Sequence, residues 1–133
     1  MTIRITLPLP PKELSPNYTV GSVGQRLGKA AKTKKYRQAA CTQVCCEVVA
    51  RGLLSREYWP AAEVACTFYH KDTRRRDKDN ALASLKAAFD GIADAGLVSD
   101  DSALTYLPVK MLKSKENPRV EIEITRKEVG PKE

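Results

Sequence analysis

Ile3, Ile5 and Leu7 alternate with Arg4 and Thr6, the two-residue period of a half-buried strand, and Pro8, Pro10 and Pro11 end it. The same period returns in Glu63–Lys71, where Val64, Cys66 and Phe68 share a face with His70 next in line. It returns again in Arg119–Thr125, where Val120, Ile122 and Ile124 alternate with Glu121 and Glu123. Leu104–Leu112 predicts one more strand. Between these segments the period lengthens. Lys34–Leu54 is expected to form one helix, stopped near Gly52, and Asp79–Ala95 a second, closed by Gly96 just beyond its end. From Lys12 to Lys32 the chain carries Pro16, Asn17, Gly21, Gly24 and Gly28 among scattered charges, which predicts a long, mobile basic loop over 12–32. The expected order is β-α-β-α-β-β. It describes a single α+β (α/β) domain over 1–133, with a mixed sheet, two main helices and no internal repeat.

Composition fits such a domain. The 133 residues are 42% hydrophobic and 29% charged, enough apolar material for a modest core and too much for a disordered chain. No apolar run approaches the roughly 18 residues of a membrane-spanning helix. Met1–Thr6 opens the sequence without the apolar stretch of a signal peptide, so the expected location is the cytoplasm and no membrane is involved. Cysteine usage agrees. Cys41 and Cys45 continue a helical apolar series with Val48, Cys66 sits in a strand, no C-x-x-C pair exists, and His70 is the one histidine. A zinc site lacks ligands, and reduced core thiols are expected.

Charge changes the picture. The net charge of +7 favours a polyanionic partner, nucleic acid first. Residues 12–37 hold seven basic groups against Glu13 alone, whereas residues 38–103 hold eight basic and ten acidic ones. A basic arm that includes Lys29, Lys32, Lys34 and Lys35 therefore precedes an acidic centre. Binding to DNA alone does not call for that centre.

The candidate chemistry gathers there, in Arg74-Arg75-Arg76-Asp77-Lys78-Asp79-Asn80, then Lys86, Asp90 and Asp100-Asp101. On a helical wheel Leu82, Leu85, Phe89 and Ile92 form an apolar stripe, while Asp79, Lys86 and Asp90 share a separate one. Asp77 and Asp79 stand where a strand gives way to a helix. Hard divalent cations take carboxylates together with phosphate oxygens, and such a metal stabilises charge on a phosphate and generates hydroxide. Arginine pairs bidentately with phosphate oxygens, so Arg74–Arg76 suit a nucleic-acid backbone. Each piece also has an ordinary reading: Asp79 as a helix cap, Asp100-Asp101 as an exposed turn, Lys86 and Asp90 as a surface ion pair.

Together these residues resemble one family. Asp77-x-Asp79-Asn80, then Lys86-Ala87-Ala88-Phe89-Asp90, Ala95-Gly96 and Asp100-Asp101 are similar to the RusA Holliday junction resolvases of phage and prophage origin. Arg74-Arg75-Arg76 and the opening Ile5-Thr6-Leu7-Pro8-Leu9-Pro10-Pro11 fit as well, so the resemblance spans nearly the whole chain. It implies a homodimer that uses Mg²⁺ or Mn²⁺, and no organic cofactor, to cut four-way DNA junctions by paired symmetric nicks in recombination and repair. It implies Asp77, Asp79 and Asp101 as catalytic, metal-holding residues and Lys86 as the catalytic lysine. Arg74, Arg75, Arg76 and the Lys29–Lys35 arm would then bind DNA. One departure stands out: five residues, Ala81–Leu85, separate Asn80 from Lys86, where RusA chains have two. Two alternatives to a resolvase are a branched-DNA-binding relative that does not cut, and a basic α/β protein with an RNA or protein partner. The composite motif argues against the last.

Overall fold

The computed structural model describes residues 1–52 and 58–128. Its elements run β1 (Thr2–Leu7), α1 (Val23–Ala50), β2 (Ala61–His70), α2 (Lys78–Ala83), α3 (Lys86–Asp94), β3 (Leu104–Tyr106), β4 (Lys110–Lys113) and β5 (Arg119–Lys127), with short 3-10 turns at Lys12–Leu14 and Asp101–Ala103. This is a single α+β domain on a five-stranded mixed sheet. The strand order is β1-β5-β2-β3, with β4 also paired to β2. β5 is antiparallel to both β1 and β2, whereas β3 and β4 run parallel to β2. Parallel neighbours need a crossover, and α2 and α3 supply it.

The alternation seen in the sequence sets the layers. Ile3, Ile5 and Leu7 of β1, Val64, Cys66 and Phe68 of β2, and Val120, Ile122 and Ile124 of β5 are all buried on one face. Tyr36, Ala40 and Val44, spaced four apart along α1, cover that face, as do Phe89 and Ile92 of α3. The Tyr36 hydroxyl donates to the Pro8 carbonyl at 2.7 Å, which fastens the proline turn after β1 to α1. The opposite face carries ion pairs and polar contacts. Arg4 meets Glu123 at 2.5 Å, and the Arg119 guanidinium lies 3.9 Å above the Tyr69 ring.

α1 and α3 cross at Gly91. A Cβ there would overlap the Arg37 carbonyl and lie 2.9 Å from the Ala40 Cβ. On β1, the Gln43 side-chain amide accepts from the Thr6 N–H at 2.9 Å and donates to the Thr6 carbonyl.

Four expectations need correction. The predicted loop over 12–32 is helical from Val23 onward, because Ser22 caps α1: its Oγ accepts from the Gln25 N–H at 3.1 Å. Gln25 Oε1 in turn accepts from the Gly21 N–H at 2.7 Å, and Gly24 and Gly28 sit inside the helix. The helix expected over Asp79–Ala95 is broken at Ser84 and Leu85, where the Ser84 hydroxyl donates to the Ala81 carbonyl at 2.6 Å. Leu104–Leu112 is two strands, parted by residues 107–109, which include Pro108. Of the thiols only Cys66 is a core residue; Cys41 is half-buried, and Cys45 and Cys46 are exposed. The end of α1 agrees with expectation at Gly52, whose φ is +67°. The predicted extension to Leu54 lies outside the described residues.

Candidate active site

β2 delivers the chain to the site through a tight turn. The Asp72 carboxylate accepts from the Arg74 N–H at 3.0 Å and from the Arg76 guanidinium at 2.8 Å, and these bonds hold its pKa below the usual carboxylate range. Arg76 also donates to the Arg74 carbonyl at 3.0 Å. The three arginines therefore differ in kind: Arg76 is half-buried and tied into the turn, while Arg74 and Arg75 are exposed. Nothing in the sequence had singled out Asp72, although an aspartate two residues past a strand is a common turn former.

Asp77 caps α2. Its Oδ1 accepts from the N–H groups of Asp79 and Asn80 at 2.8 and 3.2 Å, so the helix cap falls on Asp77 and not on Asp79. Both aspartates are exposed. They open onto different clefts: Asp77 borders one with Lys12, His70, Arg76 and Asn80, and Asp79 borders another with Leu82, Lys86, Phe89 and Tyr106.

Lys86 begins α3 and reaches two carboxylates. Its Nζ lies 3.0 Å from Asp90 Oδ1 and 2.7 Å from Asp101 Oδ2, fifteen residues away in sequence. Bonds to Asp101 first and Asp90 second push the lysine pKa up to about 12. Asp101 arrives there because the preceding loop is anchored: Leu97 and Val98 are buried, and the Leu97 carbonyl accepts from the Trp59 N–H at 2.7 Å. Its neighbour Asp100 turns away to cap the 3-10 turn, accepting from the Ser102 hydroxyl and from the Ser102 N–H at 2.7 Å, and these bonds lower its pKa. The two adjacent aspartates thus have separate roles, and Asp101 is the one that faces Lys86.

Lys86 therefore meets Asp101 and Asp90 directly and shares a cleft with Asp79, while Asp77 stands apart on the α2 cap. Among the described residues, no three or more His, Cys, Asp or Glu side chains are gathered closely enough to hold a metal ion. The donor chemistry nonetheless suits a hard cation. All three implied ligands are carboxylates, and Asp79 makes no ion pair among the described residues.

His70 stacks on Phe68 with ring centroids 5.9 Å apart. Its Nε2 is buried without a hydrogen-bond partner among the described residues. Burial, and then the Arg76 charge, lower its pKa.

The basic arm is the amino-terminal half of α1. Lys32 pairs with Glu13 at 2.9 Å, which draws the Glu13 pKa down. Lys34 and Lys35 are exposed and Lys29 half-buried, and none of the three makes an ion pair among the described residues. No described helix is long and apolar enough to cross a membrane.

The family model described as endodeoxyribonuclease RusA matches residues 8–125, all but the ends of the chain. No curated protein matches it.

Proposed function

The chain belongs to the RusA endodeoxyribonuclease family, whose members resolve Holliday junctions, and from that premise we propose how its own residues divide the work. Asp79 and Asp101, with Asp77 drawn in from the α2 cap, would hold Mg²⁺ or Mn²⁺, which when bound lowers the pKa of a water and neutralises charge on the phosphate. Lys86 places an ammonium beside that phosphate. Two of its three N–H donors face Asp90 and Asp101, which leaves one for a phosphate oxygen or the attacking water. Arg74 and Arg75, with Lys29, Lys34 and Lys35, hold the backbone of branched DNA. Lys32 and Arg76 contribute charge from paired positions.

The observation that carries this reading is the Lys86–Asp101 contact at 2.7 Å. It links the start of α3 to the loop after it, next to the cleft that Asp79 borders. An ordinary surface pair within one helix would not draw in a carboxylate from a distant loop. Homodimerisation belongs to the same proposal. A four-way junction is two-fold symmetric, and a C2 pair of chains brings one site to each of two symmetric strands.

Cleavage of a synthetic four-way junction, set beside linear duplex and single strand with and without Mg²⁺, tests the reading. Metal-dependent paired nicks in the junction alone are expected. Junction binding without cutting at any divalent-metal concentration would leave a branched-DNA-binding protein in its place.

A further inference from the structure

The Lys86–Asp90 pair is an odd one for a helix surface. Lys86 is the first residue of α3, where the helix dipole disfavours positive charge. The order lysine then aspartate at four residues is also the weaker orientation for such a pair. Helix stability therefore gives little reason for this arrangement.

Asp90 faces cations with both oxygens. Oδ1 lies 3.0 Å from Lys86 Nζ, while Oδ2 lies 3.9 Å from the Arg37 guanidinium of α1. Arg37 is itself fixed by Asp94, through Nε at 2.5 Å and a second nitrogen at 2.7 Å. Gly91, between the two aspartates, lets α3 approach α1 closely enough for these bonds to form. The Arg37 charge thus faces Asp90 from the neighbouring helix, whereas the Lys86 side chain is 65% exposed and, among the described residues, paired with its two carboxylates. A lysine stem carries a large rotamer entropy, and a single loop carboxylate would leave much of that freedom in place.

We propose that Asp90 is a positioning residue for Lys86, a fixed second anchor that keeps the ammonium on the Asp101 side of the site and aims its remaining donor. The proposal rests on Lys86 acting in cleavage, as proposed above. Asp90 itself touches neither DNA nor water in the reaction. It anchors the end of the lysine, and the Arg37 guanidinium, held by Asp94, faces its other oxygen at 3.9 Å.

Asp90→Asn removes the charge and keeps the shape, and Asp90→Glu restores the charge on a longer stem. Single-turnover junction cleavage should fall about 10–100-fold in Asp90→Asn, the scale expected of a displaced catalytic group, with the Kd for the junction and the unfolding midpoint unchanged. Asp90→Glu should recover part of the rate. The side-chain ammonium ¹⁵N resonance of Lys86, assigned by its loss in Lys86→Ala, should be sharp in the wild-type protein and broaden in Asp90→Asn. A normal cleavage rate in Asp90→Asn beside an inactive Lys86→Ala would overturn the positioning role and leave the lysine in place. An unchanged Lys86 resonance with a lost rate would overturn it too, since Asp90 would then act on something else. Normal cleavage by Lys86→Ala would remove the catalytic lysine, and the positioning role with it.

Discussion

Arg76 and Asp72 are joined at 2.8 Å across the turn that leaves β2, so one of three consecutive arginines is spent on holding the chain. Arg75, beside it, is exposed. The two should separate cleanly. Arg76→Ala is expected to lower the urea unfolding midpoint, because it leaves the Asp72 carboxylate and the Arg74 carbonyl short of a donor. Arg75→Ala should change stability by less than about 0.5 kcal/mol and lower the log K against log[salt] slope for DNA by about 0.9.

Asp77 has a structural duty and a proposed chemical one, and asparagine tells them apart. Asparagine caps a helix as well as aspartate does, so Asp77→Asn should melt within a degree or two of the wild-type protein. It should nevertheless lose cleavage while still binding junctions. Asp79→Asn should do the same. Wild-type cleavage by either variant in Mg²⁺ would remove that residue from the metal site.

The arm offers a count. Replacing Lys29, Lys34 and Lys35 with Ala should lower the salt slope by about 3, if each meets one phosphate. Lys32→Ala alone should do less, since Glu13 already neutralises that ammonium at 2.9 Å. A slope that does not move would make this half of α1 a solvated surface.

Gly91→Ala tests the helix crossing. With no room for a Cβ against Arg37 and Ala40, the helices must part, and a loss of about 1–3 kcal/mol is expected by chemical denaturation. Cleavage should fall alongside, because α3 carries Lys86.

His70 sets an acid limit. Its folded pKa lies below the ordinary 6.5, so the unfolded chain binds its proton more readily. That contribution to stability is complete above pH 6.5 and is lost as pH falls from there through the folded pKa. Urea midpoints at pH 7.5, 6.5 and 5.5 should decline for the wild-type protein and decline less for His70→Gln.

Legibility in the sequence followed the physics of each element. β1, β2 and β5 were plain because one buried face imposes a period of two, and all three lie in the sheet with Ile, Val and Phe turned inward. The start of α1 was hidden by Gly24 and Gly28, which suggest a loop, yet Ser22-Val23-Gly24-Gln25 carries the serine-to-glutamine spacing of a capping box. The break at Ser84 and Leu85 could not be seen from periodicity, since Leu82, Leu85, Phe89 and Ile92 keep a helical spacing across it. The carboxylates and the lysine were visible as residue types. That Lys86 turns to Asp101, and not to Asp77, was not visible, because the burial of Leu97 and Val98 steers the intervening loop.

Gln43 stands at the far margin of the sheet. Among the described residues β1 has a partner on one side only, and an unpaired strand invites another chain to add itself. Thr6 offers no such opening: its amide hydrogen and its carbonyl are both taken by one side chain from α1. A foreign strand would have to evict that amide before it could register past Arg4. Gln43 thereby closes the free edge of β1 at Thr6 to strand addition.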